Sequence, residues 1–393
     1  MSVNKTLISV NMQNKLKVLF LSSWYQTRNK PSNGDFVVRH AQAVSQIHEV
    51  FCIHVEYDRN LDRKVHYEIS EKYGFKQIIV YYKIHKILRI LKKALTAYYY
   101  FKAYKKMLTI LGKPDILHAN VLLPVGLIAL LFKWRYKLPL IFTEHWTGFL
   151  KESPRKISSF NLFFSRFVAK KSSFVCPVST ALLGAMKQKK IRANYEVVYN
   201  VVNEYFFQTE RSTMPDKTFV HVSSLYDEHK NITGLMRVVS KVMKVKADFK
   251  LVIIHNNDNS LVKAKMEEFG VPTSRVVFYK DIPNQEVAKH LSHATSVLQF
   301  SNYETQGCVI LEALSCGTPS ISSNVGGIDD FFDENCGILV EAGNEEQLEK
   351  AILNMLENYK MFNPDLMREK AVSLFNASVI AQRYSALYYK ALV

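Results

Sequence analysis

The sequence predicts an α/β protein of two doubly wound domains facing each other across a cleft, and three observations carry that prediction. Short apolar runs rich in branched and aromatic residues recur along the chain, most of them followed by helix-compatible stretches, which is the pattern of a parallel sheet covered on both faces. The rhythm breaks once, over 195–218, where Asn200, Asn203 and Pro215 replace periodicity with turn residues, and then restarts. At 393 residues the chain is too long for one ordinary core and suits two.

The elements follow in order. Leu16 to Ser22 reads as a strand, a polar loop runs through Pro31, Asn33 and Gly34, and Phe36 to Ile47 has helical spacing, so the chain opens with a βα unit. Further strands are expected at 50–55, 78–82, 116–119, 139–143 and 174–178. After the break the same pattern gives strands at 218–222, 250–254, 275–279, 296–300, 319–322 and 337–340. The domains are therefore residues 1–200 and 201–377, with an amphipathic final stretch, 378–393, free to pack back on the first. Open sheets of this kind bind ligands beyond the carboxyl ends of their strands, so chemistry is expected in the loops that follow strands.

Charge separates the two halves. The net charge is +17, yet residues 1–200 hold 33 basic and 11 acidic side chains while residues 201–393 hold 19 and 24. Five scattered cysteines, never paired as C-x-x-C, suggest neither a disulfide framework nor a zinc site and fit a reducing, cytoplasmic setting. Polar residues interrupt the first twenty positions, so no signal peptide is expected. The longest apolar run, Val121 to Phe132, is too short for a membrane span of about 20 residues. There is no G-x-G, no G-K-[ST], no G-x-S-x-G and no Asp-x-Asp, which removes the simplest dinucleotide, P-loop, hydrolase and metal-diphosphate readings.

The densest constellation spans Ser301 to Gly327. A strand end leads into a loop holding Glu304 and Gly307, then a helix from about Cys308 to Ser315, a stop at Gly317, another strand and a Gly326-Gly327 turn. A helix beginning just after a glycine offers free backbone N–H groups and a positive dipole end to an anion. Glu304 and Glu312 frame that end, and carboxylates there suit sugar hydroxyls more than phosphate. The pattern fits a ligand with phosphate between two sugars.

These residues carry a resemblance. Glu304-x7-Glu312 followed by Ala313-Leu-Ser-Cys-Gly-Thr-Pro319 and Gly326-Gly327 resembles the signature of the retaining nucleotide-sugar glycosyltransferases of group 1 (family 4), which have the GT-B fold of two Rossmann-like domains. Pro31 to Ala41, Pro114-Asp-Ile-Leu-His118, Thr143-Glu-His145 and Val222 to Asn231 resemble further family segments in the same order. The resemblance implies that Glu312 binds the nucleotide ribose and Glu304 the transferred sugar. It implies that the amides of Gly307, Cys308 and Val309 meet the diphosphate or sugar, that Lys230 neutralises the diphosphate without metal or other cofactor, that Gly34 lets backbone approach it, and that His145 lies near the donor sugar. Base recognition is expected from backbone around Ile282. One departure stands out: Ser224 occupies the place of the family's usual arginine, beside Ser223 in place of a glycine.

The implied activity is transfer of a hexose-type sugar from a nucleoside diphosphate to a hydroxyl of a glycan or lipid-linked acceptor with retention, in cell-surface polysaccharide or glycolipid synthesis. A sugar-nucleotide or glycan binding protein of weak activity on the same scaffold is the alternative that Ser224 raises. From Lys72 to Lys113 there are eleven Lys/Arg and no acid, with interleaved tyrosines and an apolar stripe at Ile84, Ile87, Leu88, Leu91 and Leu95. A basic amphipathic helix over 83–106 at an anionic membrane face, making the protein peripheral, and a core-packed helix of the first domain are both open at this level. No nucleic-acid motif accompanies the charge, so nucleic acid is not an expected partner.

Overall fold

The computed structural model describes residues 15–31, 33–84, 91–212 and 217–393. The polar start at 1–14, Lys86 to Arg89 of the basic stripe and Pro215 of the interdomain break lie outside them.

The first sheet has strands β1 (Lys17–Ser22), β2 (Glu49–Tyr57), β3 (Val65–Lys72), β4 (Phe75–Tyr82), β5 (Ile116–Asn120), β6 (Leu140–Glu144) and β7 (Phe174–Pro177), in the order β3-β4-β2-β1-β5-β6-β7. The second has β8 (Thr218–Ser223), β9 (Lys250–His255), β10 (Val276–Lys280), β11 (Ser296–Gln299), β12 (Ser320–Ser323) and β13 (Gly337–Val340), in the order β10-β9-β8-β11-β12-β13. Every pairing is parallel except β3 with β4. Each apolar run named from the sequence forms a strand, with ends shifted by at most three residues. The added strand, β3, reads Val-His-Tyr-Glu-Ile-Ser-Glu-Lys and sits half-exposed at the sheet edge, so it has no apolar run to reveal it.

Burial on both faces explains the runs. Along β1, Val18 and Phe20 enter one core beneath the helices Asp35–Ser45 and Ala377–Leu392, while Leu19 and Leu21 enter the opposite core beneath Lys92–Leu111 and Val125–Tyr136. A separate apolar core fills the second domain. In both sheets the winding reverses beside the first strand, between β1 and β5 and between β8 and β11. These are the switch points where loops part to leave a crevice.

The last helix returns to the first domain. Its Tyr388 hydroxyl lies 2.6 Å from His118 Nδ1, its Tyr384 hydroxyl lies 2.6 Å from Thr143 Oγ1, and Ser385 bonds His48. His118 is thus held inside the core, with its other ring nitrogen on Thr143.

Of the two readings open for 83–106, the described residues from Lys92 on fit the core-packed helix of the first domain. Lys83 and Ile84 trail from β4, and the helix begins at Lys92 and runs to Leu111. Tyr82, Tyr100 and Tyr104 are core residues, because the helix packs across β2 and needs bulky side chains to fill the space above the sheet, while Tyr81 is buried in the core on the opposite face. Its lysines stay in solvent. Among the described residues, no helix is long and apolar enough to cross a membrane.

Candidate active site

The helix Cys308–Ser315 follows β11 through the loop Ser301–Gly307. Gly307 caps it at φ 79°, a left-handed conformation that other residues adopt at a cost, and no side chain caps the helix. The first intrahelical bond is donated by Ile310 N–H to the Gly307 carbonyl, leaving the amides of Cys308 and Val309 without a partner inside the helix. Val309 packs its side chain against the domain core, and burial pushes the Cys308 thiol up to about 12, so it is a neutral side chain here.

Glu304 sits in the loop before that helix. It accepts hydrogen bonds from Lys230 Nζ and Ser301 Oγ, the latter at 3.0 Å, and His229 Nε2 stands 3.6 Å away. Burial alone would raise its pKa, but Lys230 and His229 outweigh burial and hold the carboxyl well below the usual carboxylate range. Lys230 reaches it because the short helix Asp227–Lys230 follows β8 and ends at Asn231 with φ 48°, whose side chain caps the helix Ile232–Val245. The His229 ring stacks on Tyr303, centroids 4.5 Å apart, and Tyr303 itself packs into the core of the first domain.

Glu312 lies one turn into the helix Cys308–Ser315. Its Oε1 accepts from Arg39 Nη1 at 2.7 Å, and Arg39 Nε pairs with Asp35 at 2.5 Å. Arg39 comes from the helix Asp35–Ser45 of the other domain, so this buried pair crosses the cleft. Burial raises the Glu312 pKa against the pull of Arg39. A second crossing joins Asn200 to Gln306 Oε1, with both backbone and side-chain amides donating at 2.8 Å, and Asp330 accepts from Thr180 N–H at 2.8 Å.

On the first domain, Gly34 caps the Asp35–Ser45 helix at φ 71°, and a Cβ there would lie 2.4 Å from the Trp24 carbonyl. The loop's own backbone therefore requires the glycine, independently of any ligand. His145 follows β6 and is buried, with both ring nitrogens lacking a hydrogen-bond partner, its ring against Phe36 at 4.1 Å. Burial, then His40 and His118, keeps it neutral by pulling its pKa well below the ordinary value. Neighbouring Glu144 fixes the loop: Oε1 accepts from the N–H groups of His145 and Trp146, and Oε2 from Leu122.

The structure thus gathers Glu304, Lys230, Gly307, Cys308, Val309 and Glu312 around one helix start. Ser224 lies in the loop after β8, its carbonyl accepting from Asn257, and Ile282 lies after β10 against the domain core; neither has a bond to the two glutamates. Two residues that sequence reasoning did not single out complete the site. Arg39 supplies a guanidinium to Glu312 from the basic half, and its i,i+4 spacing from Asp35 was its one local signal. His229 had no signal beyond lying next to Lys230. Among the described residues, no group of three or more His, Cys, Asp or Glu stands close enough to hold a metal ion.

Two parallel-sheet domains meeting at an anion-ready helix start flanked by carboxylates define a glycosyltransferase of GT-B architecture. Residues 36–205 match the model for glycosyltransferase family 4, residues 203–371 match that for glycosyl transferases group 1, and the chain belongs to the group 1 glycosyltransferases. The N-acetyl-alpha-D-glucosaminyl L-malate synthase of Bacillus anthracis is 25% identical over 71% of this chain and 75% of its own. Among solved structures, a sucrose-phosphate synthase from Thermosynechococcus elongatus superposes with a TM-score of 0.76 at 19% identity, covering 95% of this chain and 98% of that one. Anabaena HepE in complex with UDP and glucose superposes at 0.71 with 16% identity, covering 95% and 100%.

Proposed function

We propose that this glycosyltransferase moves a hexose-type sugar from a nucleoside diphosphate to a hydroxyl of a glycan or lipid-linked acceptor, with retention of anomeric configuration and without a metal, in the synthesis of a cell-surface polysaccharide or glycolipid. The observation that carries the reading is the pair of differently set carboxylates at one helix start: Glu304 kept ionised by Lys230, and Glu312 buried against Arg39. Glu312 would accept the ribose hydroxyls, the amides of Gly307, Cys308 and Val309 would meet the diphosphate or sugar, and Glu304 would orient the transferred sugar with neutral His145 opposite. The bond from the anomeric carbon to the leaving diphosphate breaks while a bond to the acceptor oxygen forms on the same face. The acceptor proton passes to the departing phosphate oxygen, and Lys230 offsets the charge developing there. Catalysis on this route is positioning and charge stabilisation.

Anabaena HepE is described in complex with UDP, which makes UDP the first nucleotide to try. A thermal-shift screen against UDP, GDP and ADP tests the donor site, because a ligand bound only by the folded state raises the melting temperature by mass action. One nucleotide should raise it in the native protein and not in Glu312→Ala. NMR of the product from an α-linked donor should then show an α linkage; a β product overturns retention, and a nucleotide shift unaltered by Glu312→Ala overturns the site.

A further inference from the structure

The first domain carries a cavity of about 630 Å³ that the donor site does not use. At one end it is lined by Lys30, Asn33, His54 and Glu56, from the loops and strand ends beside Gly34. Tyr100, whose hydroxyl donates to the Ser22 carbonyl that His54 also bonds, belongs to that end, and the remaining walls include the apolar Leu127, Leu131, Phe160 and Phe164. Leu131 and Phe160 also belong to the outer surface, so the apolar end opens to the outside.

The surface around that mouth is unusual for a free monomer. On the helix Ser159–Lys171, Phe160, Phe163 and Phe167 are 65%, 62% and 38% exposed and share one face by their i, i+3, i+7 spacing. On the neighbouring helix Val125–Tyr136, Leu131 and Trp134 are 45% and 50% exposed. The Trp134 and Phe167 rings are 6.1 Å apart, which joins the two faces into one patch. Neither helix contains an acid, and residues 116–195 hold thirteen Lys/Arg against two acids, of which Glu144 is buried. Exposed Arg135, Arg166, Lys170 and Lys171 lie on the same two helices, and exposed Lys92 and Lys93 line the cavity. Exposed aromatics ringed by cations are the composition that inserts into the headgroup layer of an anionic bilayer, where nearby Lys/Arg side chains add electrostatic attraction.

We propose that the face formed by helices Val125–Tyr136 and Ser159–Lys171 lies on an anionic bilayer, and that the cavity takes the hydrocarbon chain of a membrane-borne acceptor whose polar head is held between Lys30 and His54 beside the donor cleft. The proposal rests on the glycosyltransferase reading and narrows its acceptor to an amphiphile. The bilayer contact is placed on these two helices; the helix Lys92–Leu111 contributes cations, with Tyr100 and Tyr104 buried in the core.

The test uses the protein with vesicles of phosphatidylcholine, alone or with about 30% phosphatidylglycerol. The native protein should sediment with the anionic vesicles and much less with neutral ones. Phe163→Ser/Phe167→Ser and, separately, Lys170→Glu/Lys171→Glu should each weaken that binding by more than about tenfold. All four positions are exposed, and an unchanged melting temperature shows that the variants fold. Geranylgeranyl phosphate should bind the native protein, and Ala97→Trp, which fills the cavity, should remove that binding. Absent sedimentation, sedimentation unaltered in both double variants, or a dimer in sedimentation-velocity runs that the Phe163→Ser/Phe167→Ser change dissolves, overturns the membrane face; geranylgeranyl phosphate binding unaffected by Ala97→Trp overturns the cavity's role. The UDP, GDP and ADP thermal shifts report the donor site separately, so failure of the glycosyltransferase reading is distinguishable from failure here.

Discussion

Replacing Arg39 with Met tests how the ribose carboxylate is set. The side chain lies in the Asp35–Ser45 helix; methionine keeps an unbranched apolar stem, is shorter than arginine, and loses the guanidinium that donates to Glu312 Oε1 at 2.7 Å. Among the described residues only the Arg39 side chain bonds Glu312, which is 7% exposed, so the change leaves a buried carboxylate without its counter-charge. Breaking such a pair from one side costs about 3–5 kcal/mol if nothing moves. Two responses reduce that cost: the domains part and hydrate the carboxylate, or its pKa, already raised by burial, rises further and it takes a proton. Either response weakens an acceptor that must be ionised and fixed to hold two ribose hydroxyls. Hydrogen bonds to a charged group contribute about 1.5–3 kcal/mol, so a loss of about 2 kcal/mol weakens nucleotide binding about 30-fold. Isothermal titration with UDP and with its 2′,3′-dideoxy analogue separates positioning from general damage. Arg39→Met should weaken UDP strongly and the dideoxy nucleotide little, and raising the pH should recover part of the UDP affinity as Glu312 ionises. Equal weakening of both ligands, with no recovery, would refute the reasoning.

Two further substitutions have expected signs. Lys230→Met should lower transfer by about 100-fold or more, as loss of one charge-stabilising donor does. Because the Glu304 pKa is depressed in the folded protein, the stability it contributes is present above the ordinary carboxylate pKa of 4.5 and is lost as pH falls below it; urea unfolding should show the native and Lys230→Met proteins converging in acid. Glu144→Gln should lower stability by about 1–3 kcal/mol, seen as a reduced melting temperature, because the amide NH₂ would face one of the three backbone N–H groups the carboxylate now accepts.

How much of this was legible follows from what each feature depends on. Strands such as β1 and β8 are buried on both faces, so their apolar runs are local properties of the chain and survive without knowledge of the fold. The helix Cys308–Ser315 declared itself in the same way, by a glycine at each end. Edge strand β3 half faces solvent, and its polar residues hid it. The basic tract left two readings open because lysines between tyrosines look alike whether the tyrosines face lipid or a sheet; the packing of Tyr100 and Tyr104 above the sheet is a tertiary fact. Glu304, Glu312 and Lys230 were found through spacing and resemblance. Arg39 was quoted within a motif but had no role there, since its partner is 273 positions away and reached only when the domains meet. The exposed aromatics at 160, 163 and 167 have a helical period that a core-facing helix would share, and only their exposure separates the two.

The central claim is that a nucleoside-diphosphate sugar is held and cleaved at the Glu304 to Glu312 helix start. It is tested most directly by measuring nucleoside diphosphate release from a panel of UDP-, GDP- and ADP-sugars by the native protein and by Glu312→Ala. The native protein should turn over at least one donor, and the variant should lose about 100-fold or more of that rate. Turnover at the native rate by Glu312→Ala, or none from any donor with an acceptor lipid supplied, would contradict that claim.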